Sequence, residues 1–293
     1  MKYTYALLPR IPNSLKPEEK KLKLNIELMQ KQAEGIVVTL KEAGVNVAEL
    51  PIEDGACTSS LTFADYAFVL NKTALICRPN GNNNKKENGK GRVKQIADIL
   101  SKLGYQIIEC PEKENGKKVL LNGSDILHSG KEIFVGLRKN CTNLQGAAVI
   151  ARNFPDYSVV PLPMEKYPNP LSFYVSIIDP SIIAVGSSKE AYNILARLEE
   201  ESSLRYKKLT VDEENDGVAC FRVNDRLVFR KDKGNDKYTQ LKGLQLWAVD
   251  VSEIAKGNLE RTQRRNMKKA RHNKCSIKIS VIRWDVGCSE TKP

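Results

Sequence analysis

Residues 73–111 read TALICRPNGNNNKKENGKGRVKQIADILSKLGYQIIECP. Thr73 to Cys77 is a short β-rich run. Val93, Ile96, Ala97 and Leu100 then recur at helical spacing, Gly104 stops the helix, and Tyr105 to Glu109 returns as a second β-rich run that Pro111 ends. One strand, one helix and one returning strand make a unit. Within it, Asn80 to Gly91 is an Asn/Lys/Gly stretch too polar to pack, which reads as a surface loop.

The same unit recurs on both sides. Upstream, Tyr3 to Leu8 is the opening strand, Ile26, Met29, Ala33, Val37 and Leu40 mark the helix, Gly44 stops it, and Val45, Val47 and Leu50 alternate into Pro51. Downstream, Ile133 to Leu137 opens a third unit, with Ala147, Ala148 and Ile150 in its helix and Tyr157 to Leu162 returning. A fourth runs from Ile182 to Val185 through Gly186-Ser187-Ser188 and a helix bearing Tyr192, Leu195 and Leu198 to Lys208–Val211. The fifth has Leu227 to Phe229, a weak helix near Asp236 to Leu241, and Leu244 to Val249. Strands alternating with helices define an α/β domain, and repeated units of this size share cores with their neighbours. Closing the units into a ring leaves no unpaired edge, whereas an open sheet would show the same alternation.

The rest of the composition narrows the setting. The chain has 293 residues, 41% of them hydrophobic, enough for one large core or two small ones. Its seven cysteines, Cys57, Cys77, Cys110, Cys141, Cys220, Cys275 and Cys288, stand singly and form neither a zinc motif nor a disulfide framework, so reduced thiols and a cytoplasmic location are expected. Pro9 and Arg10 cut off the only apolar stretch near the start, and no run approaches the roughly 20 residues that span a bilayer. The net charge is +12, but residues 261–293 alone contribute +8. Arg261 to Lys274 holds seven Lys/Arg and no acid, and it has no aromatic residue on which a base could stack. It reads as a solvated, disordered insertion, with nucleic acid or an anionic surface as the alternative partner.

Three stretches carry more polar chemistry than a scaffold needs. In Leu61 to Val69, Asp65 sits among apolar residues; in Leu121 to Leu127, small residues lead to Asp125; the third runs from Ser172-Phe173-Tyr174 through Gly186-Ser187-Ser188. Together with Glu49-Leu50-Pro51, Thr73 to Pro79, Asn122 to Leu127, Phe134-Val135-Gly136-Leu137 and Ile183 to Ser188, these segments resemble the dimethylarginine dimethylaminohydrolase family in order and spacing, from about Tyr3 to Asn258. The resemblance implies a five-bladed pentein β/α propeller with pseudo-fivefold repeats. It also implies a reaction in which a cysteine thiolate attacks a methylated guanidinium carbon, dimethylamine leaves, and a thiouronium intermediate is hydrolysed to citrulline.

Such a reaction needs a thiolate, a histidine that moves protons, and carboxylates that hold the cation, but no cofactor or metal. Carried over residue by residue, the family's motif carboxylate falls on Asn122 and its Glu-Asp pair on Ala64-Asp65. An acidic substrate-binding position falls on Ser59, and the catalytic histidine on Asn169 or Pro170. The nucleophile falls on Gln263 without gaps, or on Lys274 if a basic insertion is allowed, one residue from Cys275. A one-residue shift in a strand turns the side chain to the opposite face. His128 reads as structural and His272 as solvated.

The resemblance with these replacements implies a family member without the family's hydrolysis. Asp65 and Asp125 would remain to hold a methylated arginine or another arginine-like small molecule. The alternative is an active dimethylargininase with Cys275 as nucleophile. The expected organisation is a pentein domain over 1–260, the basic insertion over 261–275, and a closing strand with tail over 276–293, where Ile277, Ile279 and Val281 alternate.

Overall fold

A computed structural model describes residues 3–17, 23–79, 87–164, 166–167, 169–211, 218, 220–231 and 236–256. The first unit is β1 (Tyr5–Pro9), α1 (Ile26–Glu42) and β2 (Asn46–Leu50), with β1 and β2 parallel. Asn25 starts α1 by accepting from the Leu28 N–H at 3.0 Å. Gly44, at φ 77°, takes the left-handed conformation that ends it. Met29, Ile36 and Leu40 form its buried stripe.

The second unit adds a leading strand, β3 (Ala67–Leu70), antiparallel to β4 (Thr73–Ile76). After α2 (Glu87–Lys102), β5 (Gln106–Glu109) returns parallel to β4. The helix therefore takes in the end of the stretch expected as loop through Gly91. A small hairpin of β6 (Lys113–Glu114) and β7 (Lys117–Lys118) follows, its turn made by Asn115 and Gly116 at positive φ.

The third unit is β8 (Ile126–His128), β9 (Glu132–Leu137), α3 (Leu144–Asn153) and β10 (Ser158–Pro163). A short helix α4 (Leu171–Tyr174) precedes the fourth: β11 (Val175–Asp179), β12 (Ile182–Gly186), α5 (Lys189–Glu201) and β13 (Lys207–Val211). The fifth has β14 (Cys220–Val223), β15 (Arg226–Arg230) and β16 (Gln245–Val249). Its expected weak helix is a single 3-10 turn at Asp236–Gln240.

In four sheets the order is leading, central and returning strand, the first pair antiparallel and the second parallel. Among the described residues, the first sheet has only β1 and β2, and no strand pairing joins one of these sheets to another. Central strands are buried on both faces: Ile133, Phe134 and Val135 are fully covered, as are Ile183, Ala184 and Val185. Parallel packing under helices selects such continuous apolar runs rather than alternation, which explains why these strands were conspicuous in the sequence.

Each core lies between two units. Leu7 and Leu50 pack with Val69, Ala74 and Ile96; Phe68 and Leu75 with Ile133 and Val135; Phe134 and Leu162 with Ile177 and Ile183; Ile178 and Ala184 with Cys220 and Leu227. The first and fifth units share the remaining one, where Ala6, Leu8, Met29 and Leu40 meet Val223, Val228 and Val249. Polar contacts reinforce that junction. Asn224 accepts from the Tyr3 N–H and donates to the carbonyls of Tyr3 and Ala43, while the Gln32 amide oxygen accepts from the N–H groups of Glu253 and Ile254.

The third and fourth units are also tied by a buried carboxylate. Glu132, 2% exposed, accepts from Ser202 Oγ at 2.6 Å, Ser203 N at 2.9 Å, Ser203 Oγ at 2.7 Å and Tyr206 Oη at 2.8 Å. Burial alone would raise its carboxyl, but the hydroxyl and N–H donors outweigh that and hold it below the ordinary 4.5. A carboxylate depressed on folding stabilises above its unfolded value and loses that contribution as pH falls through the folded one. Glu132→Gln should therefore cost about 1–3 kcal/mol at neutral pH and less at pH 3. Urea unfolding at both pH values checks this, and an equal cost at both would contradict it.

Candidate functional site

Two of the three polar stretches singled out in the sequence meet turn against turn, and Leu171, the residue just before the third, reaches the same site through its backbone N–H. A 3-10 turn over Thr58–Leu61 leads to Phe63–Tyr66, which is closed by the Tyr66 N–H donating to the Phe63 carbonyl at 3.0 Å. Asp65, 6% exposed, lies at its end. A second 3-10 turn, Gly123–Asp125, is capped by Asn122, whose amide oxygen accepts from Ser124 N at 3.0 Å. Gly123 brings the two turns together: its N–H donates to the Asp65 carbonyl at 3.1 Å, in a space too narrow for a Cβ.

Side chains complete the link. Ser124 Oγ lies 2.5 Å from Asp65 Oδ1 and 2.7 Å from Asn122 Oδ1, so one hydroxyl hydrogen serves two acceptors and the charged one takes the larger share. The backbone N–H of Asn122 donates to Thr142 Oγ1 at 3.1 Å, and that hydroxyl donates to Asp125 Oδ2 at 2.7 Å. A continuous chain of hydrogen bonds therefore joins Asp65 to Asp125.

Asp125 is fully buried, and its partner is an arginine of the same chain. Arg138 Nε donates to Oδ1 at 2.7 Å and Nη2 to Oδ2 at 3.0 Å, the bidentate fork that guanidinium and carboxylate prefer. The N–H of Leu171, the first residue of α4, adds a longer bond to Oδ1 at 3.3 Å. Arg138 itself is 5% exposed. Burial pulls its guanidinium down, but the Asp125 carboxylate more than compensates, and the group is held above its ordinary value. A tight turn aims both donors: Arg138 and Thr142 exchange backbone bonds at 3.0 and 3.2 Å around Asn140 at φ 59°.

Of the residues named from the sequence, Asp65, Asn122 and Asp125 belong to this network, and Ala64 lies against it through its carbonyl, which faces Gly123. Asn169 is 3% exposed and Pro170 precedes α4 as its cap residue without a side-chain cap bond, so both lie at the end of the network marked by Leu171 N. Ser59 lies in the first 3-10 turn. His128 is buried in β8 with its ring edge-on to Tyr157 at 4.9 Å. Lys274, Cys275 and Gln263, with the whole basic stretch, fall outside the described residues.

Sequence reasoning missed Ser124, Thr142 and above all Arg138. Locally Arg138 looks like Lys139, a charge in a turn; only the backbone pairing with Thr142 distinguishes it.

The buried thiols are poor nucleophiles. Burial pushes Cys77 well above the ordinary thiol value, and the nearby Cys110, Asp65 and Asp125 push it further. Burial likewise takes Cys110 and Cys220 up to about 11, so each is almost wholly protonated at neutral pH. Among the described residues no group of three or more His, Cys, Asp or Glu side chains could hold a metal ion, and no helix is long and apolar enough to cross a membrane.

No family model matches the chain. A human protein described as putative hydrolase DDAH2 is 30% identical over 171 residues, and the bovine protein of the same description is 29% identical over 171. The human match takes in 58% of this chain and 56% of the relative, so the chain spans little more than half the length of the curated relatives it matches. Among solved structures, dimethylarginine dimethylaminohydrolase from Pseudomonas aeruginosa, a cysteine-to-serine mutant with citrulline, superposes with a TM-score of 0.65 at 16% identity, covering 86% of this chain and 94% of that one. An amidinotransferase from Microseira wollei gives 0.67 at 12% identity, covering 88% and 91%. The fold is thus the mixed α/β fold of these dimethylaminohydrolases and amidinotransferases. Within that fold, the sequence similarity is to the two proteins described as putative hydrolase DDAH2.

Proposed function

We propose that this chain keeps the dimethylarginine dimethylaminohydrolase fold as a closed ring of five units and has lost that family's hydrolysis. One observation carries the loss: at the position of the family's motif carboxylate stands Asn122, whose amide oxygen is engaged as a cap for Ser124 and which has no charge with which to orient a proton-transferring group. Asn169 and Pro170, where the family's histidine would fall, transfer no proton at neutral pH. Loss of nucleophile or base alone removes several orders of magnitude of rate.

Support for the ring comes from the core shared by the first and fifth units, which gives every unit two packed neighbours. We retain 1–260 as the pentein domain, 261–275 as a basic insertion and 276–293 as closing strand and tail.

The test is direct. Purified full-length protein incubated with asymmetric dimethylarginine should form no citrulline above a no-enzyme blank. Citrulline formation that disappears in Cys275→Ser would establish the active alternative and end this reading.

A further inference from the structure

Asp125 is arranged as a guanidinium receptor in every respect but one: the guanidinium is already there. Its two oxygens take the fork of Arg138 from one side, while Thr142 Oγ1 and Leu171 N supply further donors. Both partners are almost wholly removed from water, 0% and 5% exposed, so the pair is not an exposed contact that solvent could exchange. The bidentate fork uses the geometry that a free arginine-like cation would use on the same carboxylate.

We propose that Arg138 is a built-in guanidinium that occupies a cation site on Asp125, excluding free guanidinium compounds from the native chain and leaving a site for them when its side chain is removed. The inference rests on Asp125 as a cation-holding carboxylate and not on the absence of hydrolysis, so the two stand or fall separately. Deleting the arginine leaves a buried carboxylate without its counter-ion, in a cavity the length of the lost side chain. A small planar cation with parallel N–H donors restores both the charge and the fork. A primary ammonium ion restores only the charge.

The probe is methylguanidinium chloride, with ethylammonium chloride and NaCl at equal ionic strength as controls, all far below denaturing concentration. In Arg138→Ala, millimolar methylguanidinium should raise the melting temperature and bind at least about tenfold more tightly than ethylammonium, whereas the native chain should show no difference among the three salts. Equal response to all three salts in a folded Arg138→Ala protein overturns the inference, as does equally tight methylguanidinium binding by the native chain. If Arg138→Ala does not fold unaided, the readout is the yield of folded protein after refolding in each salt. A higher yield in methylguanidinium supports the site, and equal yields, including none, overturn it. Citrulline assays on the same samples report separately on hydrolysis.

Discussion

Asp125→Asn is expected to destabilise the protein by about 3–5 kcal/mol, the largest effect of any single polar substitution considered for this fold. Asn has nearly the same shape, so packing is hardly disturbed. What changes is charge: Arg138, 5% exposed, cannot give up its proton and is left as a buried cation facing a neutral amide. The amide nitrogen also turns a donor toward a group of donors, since Arg138 Nε and Nη2, Thr142 Oγ1 and Leu171 N all point at the carboxylate. At least one of them must lose its acceptor.

Two comparisons separate this account from a general loss of packing. Replacing both partners with leucine should cost clearly less than the sum of the single changes, because no lone charge remains. Glu112→Gln, which breaks the exposed Arg78–Glu112 pair, should cost no more than about 1 kcal/mol. Urea unfolding followed by tryptophan fluorescence and far-UV circular dichroism measures all of these. A cost below about 1 kcal/mol for Asp125→Asn, or strict additivity in the double variant, would show that the pair does not hold the site together.

The sequence disclosed the parts of this fold that obey simple periodicity. Thr73 to Cys77 and Ile133 to Leu137 were recognisable because central parallel strands are apolar without interruption, and the structure places them at Thr73–Ile76 and Glu132–Leu137. The leading strands were not recognisable. Ile126–His128 is three residues long and buried throughout, so it shows no alternation, and Ala67–Leu70 merges into the apolar surroundings of Asp65. The hairpin around Asn115-Gly116 carries the Asn-Gly signal of a tight two-residue turn.

For the site, spacing and resemblance found Asp65, Asn122 and Asp125 one stretch at a time. Their connection depends on hydrogen bonds across 59 positions for Ser124 to Asp65 and 46 for Leu171 to Asp125, and no local pattern encodes those. Arg138 was invisible for the same reason. Its inward aim follows from a backbone turn, while its residue type is that of a surface charge.

The second large effect concerns how these separate stretches meet. Gly123→Ala should cost about 3 kcal/mol, the upper end for overpacking a well-fitted site. An alanine Cβ there would lie 2.1 Å from the carbonyl oxygen of Ala64 and 2.9 Å from that of Ala67. Both obstacles are backbone, so no rotamer change relieves them, and one turn must withdraw from the other. Withdrawal breaks the Gly123–Asp65 backbone bond and separates Ser124 from Asp65, so the chain of hydrogen bonds opens at the point where the second unit meets the third. Gly35→Ala in the middle of α1 is the control, since nothing lies within 4 Å of its added Cβ, and this exposed helical site should gain about 0.5–1 kcal/mol. The urea midpoints of the two variants should therefore move in opposite directions. If Gly123→Ala stays within about 0.5 kcal/mol of the native chain, the close approach of the two turns is not what fixes Asp65 against Ser124, and the network must be held by the Arg138–Asp125 fork alone.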